Sequence, residues 1–241
     1  MMIPRLTDTV KHIITINFIM FVAPVLLKID LTNITDLHYP LNPKFGIWQY
    51  LTSIFMHGSW GHLIFNMLGV WIFGSSVEQV LGSKRFLFLY LSAGIGAGLI
   101  HTFINYFQFN SIFEIFQNAG LNKAEILNIL DARKTNDIRI TQVITQNQFN
   151  KITSIYHTVA LGASGALFGI LAAAAVYFPN SKIFTFPIPI PIPLKVLVIS
   201  LVISDFFLGT FSLPNDNVGR FAHVGGALIG FIISWYWNKK K

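Results

Sequence analysis

The chain has 241 residues, 53% of them apolar, 15% aromatic and only 11% charged, with a mean hydropathy of +0.59. Soluble domains carry about 25% charged residues, so an ordinary soluble enzyme and a disordered chain are both excluded. With no cysteine, disulfides, thiolate chemistry and cysteine-based metal sites are excluded too.

What remains is an all-α polytopic membrane protein. Six apolar stretches predict spanning helices: Ile13–Leu27, Gly58–Val77, Phe86–Phe107, Leu161–Phe178, Val196–Phe211 and Gly219–Trp237. None alternates with the period of two that a membrane barrel requires. Arg5 and Lys11 precede the first stretch, as in a signal peptide. No small-x-small cleavage site follows and Pro24 interrupts its end, so an uncleaved signal-anchor is expected.

With the N-terminus in the cytoplasm, the inner short segments hold Arg5, Lys11, Lys84, Arg85, Lys182, Lys195 and Lys239 to Lys241. The outer ones hold Lys28, Lys44 and Arg220. Nine against three is a positive-inside bias. The formal charge of +7 is therefore a topology signal rather than a nucleic-acid footprint, and both termini are expected in the cytoplasm. The membrane is expected to be a bacterial cytoplasmic (inner) one. Trp235, Trp237 and the terminal lysines read as an interfacial belt.

One membrane domain is expected over residues 1–241, with an outer-face insert at 107–157 and a cytoplasmic connector at 179–195. The insert, Gln108–His157, carries most of the Asn, Gln and acidic residues. Within it, apolar residues at helical spacing predict an amphipathic helix over Lys123–Ala132. In the connector, Pro187–Pro193 alternates Pro with Ile and reads as a stiff polyproline II strut.

Ionisable and polar groups inside apolar spans are expensive and therefore functional candidates. The second span carries His62 and Asn66, one turn apart on one face. The fourth carries Ser164 within Gly162-Ala163-Ser164-Gly165, and the sixth carries His223 ahead of Gly226 and Gly230. These three spans all enter from the outer side. Each candidate lies within about two turns of its helix start, which is roughly 6–12 Å deep. The glycines allow close helix approach, bringing Ser164 within reach of His223. A serine hydroxyl needs such a base to become a nucleophile. The oxyanion then needs donors, for which the Ser164 N–H, His62 and Asn66 are placed. His57 and His62 are five apart and lack the His-Glu-x-x-His pattern, so no metal site is expected, and no cofactor.

Asp205 in the fifth span stands apart. Its depth leaves a contact with His223 open, but it is expected instead to face the cavity or loop groups such as Asn217 rather than complete a triad.

The segment Phe55-Met-His-Gly-Ser-Trp-Gly-His-Leu-Ile-Phe-Asn66, with Gly162-Ala-Ser-Gly165 and Ala222-His-x-x-Gly-x-x-x-Gly230, resembles the rhomboid intramembrane serine proteases. The likeness runs over Trp48–Ala97 and Leu161–Trp237. It implies a six-helix core that cleaves transmembrane segments of membrane proteins, with Ser164 as nucleophile and His223 as base in a dyad. It also implies that His62 and Asn66 serve the oxyanion, that His57, Gly162 and Gly226 support the site, and that the active site opens to the outer side. Implied partners are transmembrane protein substrates and the lipid bilayer, with no nucleic acid and no metal. Trp48-Gln49 departs from the Trp-Arg of many members, and the insert is longer than the family's usual connection. The alternative is a catalytically inactive relative that binds membrane clients as a chaperone or sorting factor.

Overall fold

Backbone amides buried in lipid must be satisfied within their own segment, and the apolar stretches accordingly fold as helices. The structure is a computed structural model and describes residues 4–185, 188–211 and 219–240. Helix α1 (Asp8–Leu27) begins without a capping bond from its own Thr7 side chain. Glu78, 71 residues beyond Thr7, supplies that cap. Its carboxylate accepts the Thr9 and Val10 amides at 3.1 Å, the Thr7 hydroxyl, and the Ser83 hydroxyl at 2.7 Å. A carboxylate suits the positive end of the helix dipole, and here it also ties α1 to the turn at Gly82.

The first loop contains two single-turn helices, α2 (Thr32–Thr35) and α3 (Gln49–Thr52), then a 3₁₀ turn at Ser53–Phe55. Gln49 is fully buried. Its amide nitrogen donates to the Lys44 carbonyl at 2.8 Å and lies near those of Asn33 and Ile34, while its oxygen accepts the His38 amide at 3.1 Å. The loop is thus held from within by a neutral side chain.

Helices α4 (Trp60–Gly69) and α5 (Ser75–Leu81) are joined without a break by a π-helical turn at Val70–Gly74. Gly82 breaks the chain at φ +75°, and α6 (Ser83–Asn118) follows for 36 residues. At 1.5 Å per residue that is about 54 Å, against roughly 30 Å of hydrocarbon. The boundary expected at Phe107 is therefore no break, because the insert's first stretch, Gln108 to Asn118, prolongs α6. Phe109, Ile112, Phe113 and Phe116 recur at helical spacing and are buried.

They pack with α7 (Lys123–Ala132), α8 (Ile138–Thr141) and α9 (Gln146–His157) into a second hydrophobic cluster that includes Tyr39 of the first loop. Helix α7 covers the segment whose spacing predicted it. Both α7 and α9 start with reciprocal capping boxes, Asn122 with Glu125 and Thr145 with Gln148.

Helix α10 (Ser164–Tyr177) lies at the centre of the main core, against α6 and the last helix. The connector after it is not a free polyproline strut. Strand β1 (Lys182–Thr185) pairs antiparallel with β2 (Ile188–Pro193), Ile183 opposite Ile192; Pro187 lies outside the described residues. Proline at every second position leaves the isoleucine amides free to serve one neighbour, while the donorless prolines fall on the unpaired side, as on an edge strand. Helices α11 (Leu194–Phe211) and α12 (Arg220–Lys239) complete the chain.

Among the described residues, four helices are long and apolar enough to cross a membrane: α1, the continuous α4–α5 rod, α6 and α11. Helix α10 is a shorter apolar helix of 14 residues.

Glycine sets the contact between α10, α12 and α6. A Cβ at Gly226 would overlap the Gly165 carbonyl oxygen, and one at Gly230 would overlap that of Gly169. On the other side of α10, Gly165 and Gly169 face Ala97 and Ala93 of α6. Backbone touches backbone, the close packing that small residues permit between membrane helices.

Candidate active site

Ser164 is the first residue of α10, so its amide lies among the unbonded N–H groups at the helix start. The chain reaches it through Gly162 at φ +117°, a conformation closed to most side chains. The Gly162 amide donates to the Ser53 carbonyl at 2.9 Å. Two residues earlier, Leu37 and Ala160 exchange backbone hydrogen bonds at 2.9 and 3.0 Å, so the first loop grips the approach to the serine.

His223 lies one turn into α12, where the Gly226–Gly165 contact brings the helices together. Its Nε2 is 2.9 Å from Ser164 Oγ. Its ring stacks on Phe168, one turn after the serine, with centroids 4.3 Å apart and planes 7° from parallel. Its Nδ1 is 2.7 Å from Asp205 Oδ2, while Asp205 Oδ1 accepts from Arg220 Nη1 at 2.8 Å. The sequence leaves a contact with His223 open for Asp205 but favours the cavity or loop groups, and the structure makes the His223 contact; Asn217, the loop partner named, lies outside the described residues. A side chain's depth along a helix does not fix its direction around it, and α11 turns this carboxylate inward at 8% exposure.

A carboxylate can only accept, so in a neutral ring this contact favours the tautomer with the proton on Nδ1 and leaves Nε2 to accept from Ser164 Oγ–H.

His62 and Asn66 converge on the same place from α4. A Cβ at Gly162 would stand 2.7 Å from His62 Nε2 and 3.7 Å from Asn66 Nδ2. Asn66 is 2% exposed, yet its Nδ2 has no hydrogen-bond partner among the described residues. A buried amide donor left unmade is costly, and this one is available to an incoming oxygen. Ser59 caps α4 by accepting the His62 amide at 3.2 Å, which fixes the first turn. His57 lies behind His62, ring to ring at 5.0 Å, and is buried. Burial, with His62 beside it, holds its pKa down to about 4, so it is neutral in ordinary buffers.

The structure thus brings Ser164 and His223 into hydrogen-bonding contact, sets His62 and Asn66 against Gly162, and packs Gly226 on the serine's own helix. Sequence reasoning left the Asp205 contact with His223 open, and it missed Arg220 as the partner of Asp205 and Phe168 as that of His223. Phe168 was readable as the residue one turn beyond Ser164 on the same face.

The sequence matches the Rhomboid domain over residues 44–111 and 135–240, and the chain belongs to the rhomboid family. The break in the match, 112–134, falls inside the segment read as an insert. Among similar proteins, Rhomboid protease AarA of Providencia stuartii is 26% identical over 81% of this chain and 58% of its own length. Rhomboid protease GluP of Bacillus subtilis is 29% identical over 76% of this chain and 25% of its own. Rhomboid protease GlpG of Salmonella choleraesuis is 34% identical over 35% of this chain and 34% of its own. The chain thus spans from a quarter to less than two thirds of these relatives' lengths. With its apolar helices, family membership makes this an integral membrane protein.

Proposed function

We propose that the chain is an intramembrane serine endopeptidase that cleaves transmembrane segments of membrane proteins. In this reading α1, α4–α5, α6, α10, α11 and α12 are six spans, and the site opens to the outer side of a bacterial cytoplasmic membrane. Residues 107–157 act as an outer-face accessory cap, and 179–195 as a cytoplasmic connector. The observation that carries the reading is the 2.9 Å contact between Ser164 Oγ and His223 Nε2, beside a buried amide donor that has no partner among the described residues.

His223 takes the Ser164 proton as Oγ attacks the substrate carbonyl. The oxyanion is received by the Ser164 amide, Asn66 Nδ2 and His62, donors already in place and requiring no reorganisation as charge develops. Gly162, with no side chain, leaves room for that oxygen. His57 is neutral and acts only as packing behind His62. The reaction needs water, so the outer end of the helix cluster must be hydrated, and a substrate helix must unwind there to offer a peptide bond.

The test is covalent labelling by a fluorophosphonate, together with cleavage of a model transmembrane substrate by the reconstituted chain. Labelling should map to Ser164. Ser164→Ala, His223→Ala and the double variant should be equally inactive, each down by roughly 10⁶-fold if the pair acts as a unit like that of a soluble serine protease. A folded wild-type chain that neither labels nor cleaves would overturn the reading in favour of an inactive, client-binding member.

A further inference from the structure

Asp205 and Arg220 have no part in the dyad chemistry above, yet both are placed with care. The carboxylate divides its oxygens, Oδ1 to Arg220 and Oδ2 to His223 Nδ1. The pair is largely withdrawn from solvent, at 18% and 11% side-chain exposure. A charge in a spanning segment is expensive and is kept where it has a partner and a use.

Phe168 alone does not position the His223 ring. Stacking fixes the plane of the imidazole but permits a half-turn about its Cβ–Cγ bond, which preserves the plane and moves Nδ1 to the opposite side. Only a group in the plane of the ring can choose between these states. Asp205 Oδ2, at 2.7 Å, is in hydrogen-bonding contact with Nδ1. A carboxylate free to rotate would choose weakly. Arg220 holds its other oxygen at 2.8 Å, which leaves Oδ2 directed at the histidine.

We propose that Asp205 is the positioning acid of a Ser164–His223–Asp205 triad, and that Arg220 in turn positions Asp205. This rests on the serine-protease reading. As Ser164 Oγ bonds to the substrate carbonyl carbon, its proton passes to Nε2. Nδ1–H stays on the ring and donates to Oδ2, so the imidazolium forms beside a carboxylate that takes up no proton. The C–N bond then breaks, the Nε2 proton leaves with the amine, and Ser164 carries the acyl ester. Water attacks the ester, gives its proton to Nε2, and the returning serine oxygen recovers it.

The experiment uses the full chain in liposomes with a model transmembrane substrate, measuring kcat and KM separately for wild type, Asp205→Asn and Arg220→Lys. Imidazole ¹⁵N spectra of histidine-labelled protein, assigned by difference from His223→Gln, read the tautomer. In the wild type, Nδ1 of His223 should be protonated and Nε2 bare. Asp205→Asn should lower kcat by about 10³–10⁴-fold with KM changed by less than about threefold, and should mix the tautomers. Arg220→Lys keeps the charge but loses the planar fork, and should lower kcat by roughly tenfold.

A kcat loss under about 100-fold for folded Asp205→Asn, a loss confined to KM, or a wild-type ring protonated at Nε2 would overturn the triad. Asp205 would then be a tie between α11 and α12, and fluorophosphonate labelling of Ser164 would leave the dyad reading standing. Failure of that labelling in wild type would instead remove the protease reading itself. Should Asp205→Asn not fold, the wild-type tautomer decides alone.

Discussion

The two hydrophobic clusters of this molecule are built by opposite rules. The main core brings α10, α12 and α6 together through glycine and alanine, with carbonyl oxygens facing Cα atoms. The outer cluster is filled by Phe109, Phe113, Phe116, Phe149 and Tyr156, and its helices start with capping boxes. In lipid no hydrophobic force drives one helix onto another, so contact comes from close backbone approach and polar bonds. In water, burying large apolar side chains is itself the driving force, and helix ends need explicit caps. Small-residue packing tolerates little displacement, and Ser164 meets His223 there. Aromatic packing is more forgiving of backbone position, so changes in the outer cluster are expected to leave the Ser164–His223 contact in place.

The widest gap between the regions should come from the polar groups of the core. Asn66→Ala should lower kcat by about 10²–10³-fold with KM nearly unchanged, the usual cost of one oxyanion donor. Steady-state kinetics in liposomes check this, and a change confined to KM would remove Asn66 from the oxyanion role. Gly226→Ala comes next. Its Cβ meets the Gly165 carbonyl, so α12 must shift, and a displacement of about 1 Å at the reacting groups costs about 100-fold. Cleavage assays paired with a thermal melt check that activity falls in a chain that still folds.

In the cap the order of effects should reverse. Phe116→Ala should cost about 3–5 kcal/mol of stability while changing kcat by less than about tenfold. Denaturant unfolding alongside the cleavage assay measures both, and an equal collapse of activity would show the two regions to be one unit.

The smallest effect is a pH dependence in the first loop between them. Asp36 is almost fully buried, and burial pushes its pKa up to about 6 despite the opposing Thr35 hydroxyl. The folded state therefore favours the protonated acid. That contribution is complete below the unfolded value of about 3.9 and is lost as pH rises through 6. Asp36→Asn should accordingly melt a few degrees above wild type at pH 8, with the difference vanishing near pH 4.

Much of this was legible because it depends on position along one helix. His62 and Asn66 share a face by spacing alone, and α7 announces itself in the alternation of Ile126, Leu127, Ile129 and Leu130 with polar residues. The direction of a side chain around a helix axis depends on neighbours far away in the chain. That is why the sequence leaves the Asp205 contact with His223 open without selecting it, although the cost of its charge is plain. The continuation of α6 to Asn118 was hidden by averaging. The segment as a whole is polar, but Phe109, Ile112, Phe113 and Phe116 already describe one helical stripe. The connector misled differently. Alternating Pro and Ile satisfies both a polyproline strut and an edge strand, and only the partner strand Lys182–Thr185 distinguishes them.

The π turn at Val70–Gly74 has a consequence for the rod that contains it. A regular helix advances about 100° per residue, so the wider turn works as a phase offset between two halves that would otherwise keep one angular frame. The outer half directs His62 and Asn66 at Gly162, while the inner half directs Glu78 at the start of α1. Drawing Val70–Gly74 into a regular helix with no residue removed would swing one half by up to about 100° against the other. Either the outer donors or the inner cap could then remain aligned, but not both. The irregular turn lets one continuous helix meet two obligations whose angles do not fit a single helical period.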